Sequence, residues 1–279
     1  MATIIRNVWN FNVLQEFKII DKLIPLSSYA SFDTEFPGTI YRPNIPKPFI
    51  SSLSSSDNYI LMKANVDILK LIQVGLTLSF VPDPHSGIVT SFVWQFNIND
   101  FDVDSDFQNP DSIILLKEHG INFARNKSYG ISSYLFGNLL IRSGLLCRAR
   151  HLTWVTFHGA YDFGFLVKIL TQRPLPPNLV MFRFCKGLYG GLSRVAEMLN
   201  VERIAGQSHQ AGSDSLLTMH VFFKLREVHF NRQSDDHLCL FKNILYGLQL
   251  PVLHQPRPML TVGTVPIWPQ SSSVVIYNV

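Results

Sequence analysis

The chain has 279 residues, of which 47% are hydrophobic and only 16% are charged. A chain of this length and apolar character buries a sizeable core, in one large α/β domain or in two small ones, and is not largely disordered. The formal net charge of +4 lies within the ordinary range and therefore identifies no class of partner.

The number and spacing of the cysteines and the pattern of hydrophobic residues indicate the cellular compartment of the protein. The cysteines Cys147, Cys185 and Cys239 are far apart and form no C-x-x-C pair, which argues against a disulfide framework and against a zinc site. The N-terminal residues show no signal-peptide pattern, and the most apolar inner segment, 69–81, is interrupted by polar residues and is predicted to be too short to cross a bilayer. The sequence therefore predicts a soluble intracellular protein without a membrane partner.

Hydrophobic spacing predicts the elements of the first part of the chain. Helices are predicted over 8–23 and 65–71, and strands over 29–35, 71–80 and 91–98. Stretches rich in Pro and Ser predict loops over 41–56 and 81–87. We expect the second and third strands to form a hairpin beside the first.

The second part of the chain is mostly helical in pattern. Helices are predicted over 110–119, 130–143, 161–170, 192–199, 213–228 and 236–245. Leu152–Phe157 is a continuous apolar run, as expected of a buried parallel strand. An antiparallel three-stranded unit followed by helix, strand and helix is typical of an α/β fold of ribonuclease H-like type, a mixed sheet with flanking helices. Residues 250–279, with five prolines, are predicted to be a poorly ordered tail.

Asp33 and Glu35 lie two residues apart at the end of the first predicted strand. Residues i and i+2 of a strand project to the same face, so the two carboxylates should be neighbours. Two like charges beside a core repel each other and lose hydration, which a divalent cation would relieve. A solvated acidic strand end is the alternative interpretation of this pair.

Three further residues are candidates for the same site. Asp162 follows Leu152–Phe157 at the start of a helix, a position where ligand sites collect in α/β sheets, although such an Asp can also cap the helix. His209 precedes Asp214 by five residues. Taken alone, this Asp can also be a cap and this His a structural residue.

Together, an Asp-x-Glu at the end of the first strand, an Asp after a buried strand and a His-x-x-x-x-Asp at a late helix match the DEDD exonucleases, in their His-bearing branch. The local sequence closely resembles the mRNA deadenylases of the Caf-one/Pop-two type, and plant members most, at 32–38, 73–77, 154–162, 190–192, 209–218 and 245–248. These are catalytic subunits of the CCR–NOT complex. The resemblance places the exonuclease domain over residues 1–249.

The resemblance implies a 3′→5′ exoribonuclease of nucleus and cytoplasm that shortens mRNA poly(A) tails and releases AMP. By resemblance, Asp33 would bridge two divalent cations, Mg²⁺ or alternatively Mn²⁺, and Glu35, Asp162 and Asp214 would complete the ligand set. Carboxylate oxygens are the ligands that such hard cations require. His209 would be the general base for the attacking water. The implied partners are single-stranded poly(A) RNA, a NOT-type scaffold and a CCR-type partner nuclease.

One departure from the family lies between Phe182 and Arg183, where similar deadenylases carry another helix and strand. The missing strand would pair with Leu152–Phe157, so we expect the sheet to lack its last parallel edge strand and this run to lie at a bare edge. Two alternatives follow: a catalytically impaired interaction subunit of the complex, and a DEDD exonuclease with another RNA or DNA substrate. Retention of all five site residues favours an enzyme over the interaction subunit, and only the local resemblance to deadenylases favours that activity over another DEDD exonuclease.

Overall fold

The computed structural model describes residues 4–43, 53–80, 89–146, 152–179, 192, 196–197, 200–229 and 275–278. The strands within these ranges are β1 (Ile5–Val8), β2 (Tyr29–Glu35), β3 (Gln73–Phe80), β4 (Thr90–Asn97), β5 (Thr153–Thr156) and β6 (Val275–Asn278). The helices are α1 (Val13–Leu23), α2 (Ser55–Ile68), α3 (Pro110–Glu118), α4 (Phe123–Tyr129), α5 (Ser133–Ser143), α6 (Ala160–Thr171) and α7 (Ala211–His229), with a 3₁₀ turn at Ile24–Leu26. None of these helices combines the length and the apolar character that crossing a membrane requires.

The strands form one mixed sheet in the order β1-β4-β3-β2-β5-β6. β3 and β4 pair antiparallel from Gln73↔Asn97 to Phe80↔Thr90, which confirms the predicted hairpin, and β2 pairs antiparallel with β3. β1 is parallel to β4, and β5 is parallel to β2 on the other side. The predicted class, a ribonuclease H-like mixed sheet with flanking helices, is confirmed.

Helices cover both faces of the sheet, and β5 illustrates the alternation. Trp154 belongs to the main hydrophobic cluster, which includes residues of α1, α2, α5 and α6. Val155, the next residue, belongs to a second cluster that includes Leu217 and Phe222 of α7. Since successive side chains of a strand point to opposite faces, α7 packs on the face opposite to α6.

Two predicted helices begin elsewhere in the structure. The helix predicted over 8–23 begins at Val13, because residues 5–8 form β1 and Val8 pairs with Phe96 of β4. The helix predicted over 65–71 begins at Ser55 instead, where the Ser54 hydroxyl accepts a hydrogen bond from the Asp57 backbone N–H. A serine run that suggested a loop therefore supplies the helix cap.

The predicted bare edge at Leu152–Phe157 is wrong. β6 pairs with β5 in parallel, from Thr153↔Val275 to Thr156↔Asn278, so β5 has a strand partner on each side. This arrangement gives the backbone groups of an apolar strand partners on both sides. β6 comes from the predicted poorly ordered tail, of which the structure describes 275–278.

Some predictions lie outside the described residues. The junction at Phe182 and Arg183 and the helix predicted over 236–245 belong to this group, and the helix predicted over 192–199 is described only at 192 and 196–197. The boundary between a domain over 1–249 and a tail over 250–279 stays a prediction.

Candidate metal centre

The end of β2 places Asp33 and Glu35 on one face of the sheet, as strand alternation predicts. In the antiparallel pairing, Asp33 lies opposite Gly75 of β3 and Glu35 lies opposite Gln73. Both acids are half-buried. The pair is therefore not a freely solvated strand end, and a third carboxylate reaches it from α7.

The first turn of α7 lies directly on β3 because Gly75 has no side chain. A Cβ added to Gly75 would lie 1.9 Å from the Ala211 carbonyl oxygen. Side chains of the sheet also accept hydrogen bonds from backbone N–H groups of this turn, which have no partner within the helix. Gln73 Oε1 accepts from Ala211 N–H at 3.4 Å, and Gln95 Oε1 accepts from Gly212 N–H at 3.3 Å. This close packing of α7 on β3 holds Asp214 next to the two acids of β2.

Asp33, Glu35 and Asp214 form a carboxylate cluster. Each offers an oxygen, and these oxygens all lie within 4.8 Å of one another. Among the residues that the structure describes, these three form the group of acidic side chains that could hold a metal ion. Burial and then the charges of Asp162, Asp214 and Glu35 hold the pKa of Asp33 well above its usual value. Burial, followed by the charges of Asp214 and Asp162, does the same for the pKa of Glu35. Crowded acids of this kind suit a hard divalent cation.

Asp162 adjoins the cluster without belonging to the 4.8 Å group. It lies in the first turn of α6, where Gly159 is the N-cap and no side chain caps the helix, so the cap interpretation does not apply. The Thr34 hydroxyl donates a hydrogen bond to Asp162 Oδ1 at 2.6 Å. Burial raises the pKa of Asp162 to about 6, against the lowering effect of the bonds to Thr34.

His209 lies two residues before α7, with a backbone φ of 58° that residues other than Gly seldom adopt. Burial lowers the pKa of His209 below its usual value, although the Asp214 carboxylate opposes this shift. The imidazole is therefore mainly neutral near pH 7, the form in which it can accept a proton.

Two residues near the site were missed by sequence reasoning. His119 makes an edge-to-face contact with His209, with ring centroids 4.9 Å apart. Arg203 donates from Nη2 to Asp214 Oδ1 at 2.6 Å. Neither residue belongs to a local motif, and only the fold brings His119, at the end of α3, beside α7.

The chain is similar in sequence to known ribonucleases. The CAF1 family ribonuclease profile matches residues 8–138. "Probable CCR4-associated factor 1 homolog 10" of Arabidopsis thaliana is 41% identical, and the match covers 88% of this chain and 93% of the relative. "Poly(A) ribonuclease pop2" of Schizosaccharomyces pombe is 39% identical over 88% of this chain and 75% of the relative.

Solved structures agree with the sequence matches. The Mg²⁺- and Mn²⁺-bound form of S. pombe Pop2p has a TM-score of 0.76 and 37% identity, over 88% of this chain and 99% of that one. CAF1 co-crystallised with the yeast NOT1 MIF4G domain has a TM-score of 0.62 and 30% identity, over 81% of this chain and 90% of that one. With about 40% identity over 88% of this chain and over 75–93% of these relatives, the chain belongs to the CAF1 family of ribonucleases.

Proposed function

We propose that this chain is a metal-dependent 3′→5′ exoribonuclease that shortens the poly(A) tails of mRNA and releases AMP. The observation that carries the proposal is the cluster of Asp33, Glu35 and Asp214, whose carboxylate oxygens lie within 4.8 Å of one another beside Asp162. A related chain is a poly(A) ribonuclease, and hydrolysis of a phosphodiester builds negative charge that such a site is suited to balance through cations.

We assign Asp33, Glu35, Asp162 and Asp214 as the ligands of two divalent cations. A related structure holds Mg²⁺ and Mn²⁺, and the raised pKa values of Asp33 and Glu35 reflect the repulsion that bound cations relieve. When bound, the cations stabilise charge on the attacking and leaving oxygens and make the attacking water more acidic. The chain's part is to hold four carboxylates in one place, where bound cations would favour their ionised form.

His209 is proposed as the general base that takes the proton of the attacking water. Its lowered pKa keeps the ring neutral at working pH, and the nearby Asp214 carboxylate favours the imidazolium that forms on proton transfer.

Phe36, which directly follows Glu35, supports the site and is not assigned to RNA. Its ring stacks on Tyr161 with centroids 5.2 Å apart and lies 5.1 Å from the ring of Phe165. These contacts hold the start of α6, and therefore Asp162, against the end of β2. Phe36 accordingly serves the packing between strand and helix.

Three partners belong to the proposal: single-stranded poly(A) RNA, a NOT-type scaffold and a CCR-type partner nuclease. The scaffold is supported by the yeast structure in which a related CAF1 is co-crystallised with the NOT1 MIF4G domain. Activity in both nucleus and cytoplasm stays a prediction.

A gel assay tests this function. Purified protein is incubated with a 5′-labelled RNA that ends in an A-tail, in the presence of Mg²⁺ or of EDTA. We expect stepwise shortening from the 3′ end with Mg²⁺, slower shortening of a tail of another base, and none of single-stranded DNA. Shortening of all three substrates at one rate would indicate an exonuclease of broader substrate. Binding to a NOT1 MIF4G domain without shortening would indicate an impaired interaction subunit.

Two variants test the roles of the residues. Asp33→Ala removes a proposed shared ligand and should abolish hydrolysis while the protein stays folded, as judged by circular dichroism. His209→Ala should slow hydrolysis by about 10²–10⁴-fold, the usual contribution of a general base, with cation binding retained. If the Asp33→Ala variant hydrolysed RNA at the wild-type rate, the assignment of Asp33 as a metal ligand would be wrong.

A further inference from the structure

We propose that Arg203 is a positioning residue that orients the Asp214 carboxylate for cation binding. This inference rests on the proposed metal-dependent function. Arg203 lies in the segment that precedes α7, and its side chain is only 19% exposed. Its guanidinium group lies against the same first turn of α7 that carries Asp214.

Both terminal nitrogens of the guanidinium are engaged. Nη2 donates to Asp214 Oδ1 at 2.6 Å, and Nη1 donates to Ser213 Oγ at 2.5 Å. Nη1 also lies 3.4 Å from the Gln207 carbonyl oxygen. Ser213 in turn donates from Oγ to the Ala205 carbonyl oxygen at 2.7 Å. Arg203 is therefore held by the segment before α7 and by α7 itself.

This double attachment fixes the direction of the Asp214 carboxylate. A charge-assisted bond of 2.6 Å to Oδ1 restricts rotation of the carboxylate, and Oδ2 is left as the less encumbered oxygen for a cation. Groups that donate a hydrogen bond to a metal ligand tune the affinity of the site for the metal, and their loss commonly weakens metal binding by about 10- to 100-fold. The planar fork of Arg suits this task, and the ammonium of Lys reproduces only its charge.

In the alternative role, Arg203 competes with the metal cation: it neutralises the acids and must be displaced before the cation binds. The two roles predict opposite changes in affinity. Removal of a positioning residue weakens cation binding, and removal of a competitor strengthens it. The bond from Nη1 to Ser213 favours the first role, because it holds the guanidinium whether or not Asp214 is engaged.

Calorimetric titration of Mn²⁺ into the EDTA-treated and dialysed full chain tests this inference without measuring hydrolysis. We expect Arg203→Gln to bind Mn²⁺ about 10- to 100-fold more weakly than the wild type, and Arg203→Lys to be intermediate. Arg142→Gln, which removes an exposed arginine of α5, is the matched control for the lost charge and should bind as the wild type does. Thermal melts of each variant check the fold, and Arg203→Lys serves if Arg203→Gln does not fold.

Electron paramagnetic resonance of bound Mn²⁺ adds a readout that a merely structural role would not move. We expect the spectrum of Arg203→Gln to differ from that of the wild type even when the site is saturated, because the ligand geometry changes. Unchanged affinity and spectrum, or tighter binding, would overturn the positioning role while leaving the proposed function intact. A wild-type chain that binds no Mn²⁺ would overturn both.

Discussion

Thr34 illustrates how a single side chain prepares the site. It lies between the two acids of β2 and donates to Asp162 Oδ1 at 2.6 Å, so one hydroxyl joins β2 to the start of α6. Both partners are buried, which makes a hydrogen bond to the charged carboxylate worth about 1.5–3 kcal/mol. Thr34 therefore favours the ionised form of Asp162.

Thr34→Val should separate this hydrogen bond from the shape of the side chain. We expect the free energy of unfolding to fall by about 1–3 kcal/mol and the pKa of Asp162 to rise further above about 6. Because the hydroxyl acts on the charged form, the loss should be larger at about pH 8 than at about pH 5. Urea melts at both values measure it. Thr34→Ser keeps the donor and should lose less, and equal losses for Ser and Val would contradict the role of the hydroxyl.

Gly75 is the residue that sets the distance between α7 and the sheet. A Cβ at this position would lie 1.9 Å from a backbone oxygen, which cannot move without the helix. We expect Gly75→Ala to displace the first turn of α7, to lower the melting temperature and to weaken Mn²⁺ binding, since Asp214 would leave Asp33 and Glu35. Melts and calorimetric titration measure both effects.

Gly164→Ala is the matched control for this substitution. A Cβ at Gly164 would meet only side-chain atoms, the nearest being Val66 Cγ2 at 3.1 Å, and Ala is the better helix former inside α6. We expect this variant to bind Mn²⁺ as the wild type does. Similar losses for the two variants would show that the proximity of α7 to β3 has no special importance for the site.

At the level of elements, the sequence predicted what depends on local pattern. β2 has the predicted bounds, because seven residues of apolar pattern end at a turn, and α3 begins at the predicted Pro110. β1 and β6 have four residues each and α4 has seven, too few for a periodicity to stand out.

The candidate site shows the same division. Strand alternation brings Asp33 and Glu35 together, and the place of Asp162 follows from the end of a buried strand. The contact of His119 with His209 depends on where α7 lies on the sheet. The bonds of Arg203 depend on how the segment before α7 folds against the first turn of that helix, which no local pattern encodes either. Likewise, no rule of composition connects a four-residue strand in a proline-rich segment to β5. Long-range pairing is decided by the whole chain.

Deletion of residues 275–278 tests the role of β6. Without β6, the backbone groups of β5 that face it lose their partners, and we expect faster hydrogen exchange at amides of Thr153–Thr156 and a lower melting temperature. Mass spectrometry of exchanged peptides measures this, with the β3–β4 hairpin as the internal control. Unchanged protection of β5 would mean that another segment covers this edge.

At the scale of the whole molecule, the acidic cluster makes stability depend on pH. The folded protein raises the pKa of Asp33, Glu35 and Asp162. Without bound cations it therefore holds more protons than the unfolded chain, and the contribution of these groups to the free energy of unfolding falls as pH rises through the folded pKa values, about 6 for Asp162.

A bound cation favours the ionised carboxylates, so its stabilising effect should increase with pH over the same interval. We expect the rise in melting temperature caused by Mg²⁺, relative to EDTA, to be small at about pH 5 and to grow toward about pH 8. Differential scanning calorimetry in paired buffers measures this difference, in which groups remote from the cluster cancel. A rise that does not change with pH would argue against cation binding by these acids.

The position of β5 also bears on the order in which the protein folds. Its partners β2 and β6 lie roughly 120 residues before and roughly 120 residues after it, whereas β3 and β4 form a local hairpin. The hairpin should form early, while β5, the start of α6 and Asp162 should join late.

Cations that need all four carboxylates would then bind only after the rate-limiting step. Mg²⁺ should accordingly slow unfolding and leave the folding rate nearly unchanged, which stopped-flow measurements with and without EDTA would reveal. Cation loading would then act chiefly on the lifetime of the folded enzyme.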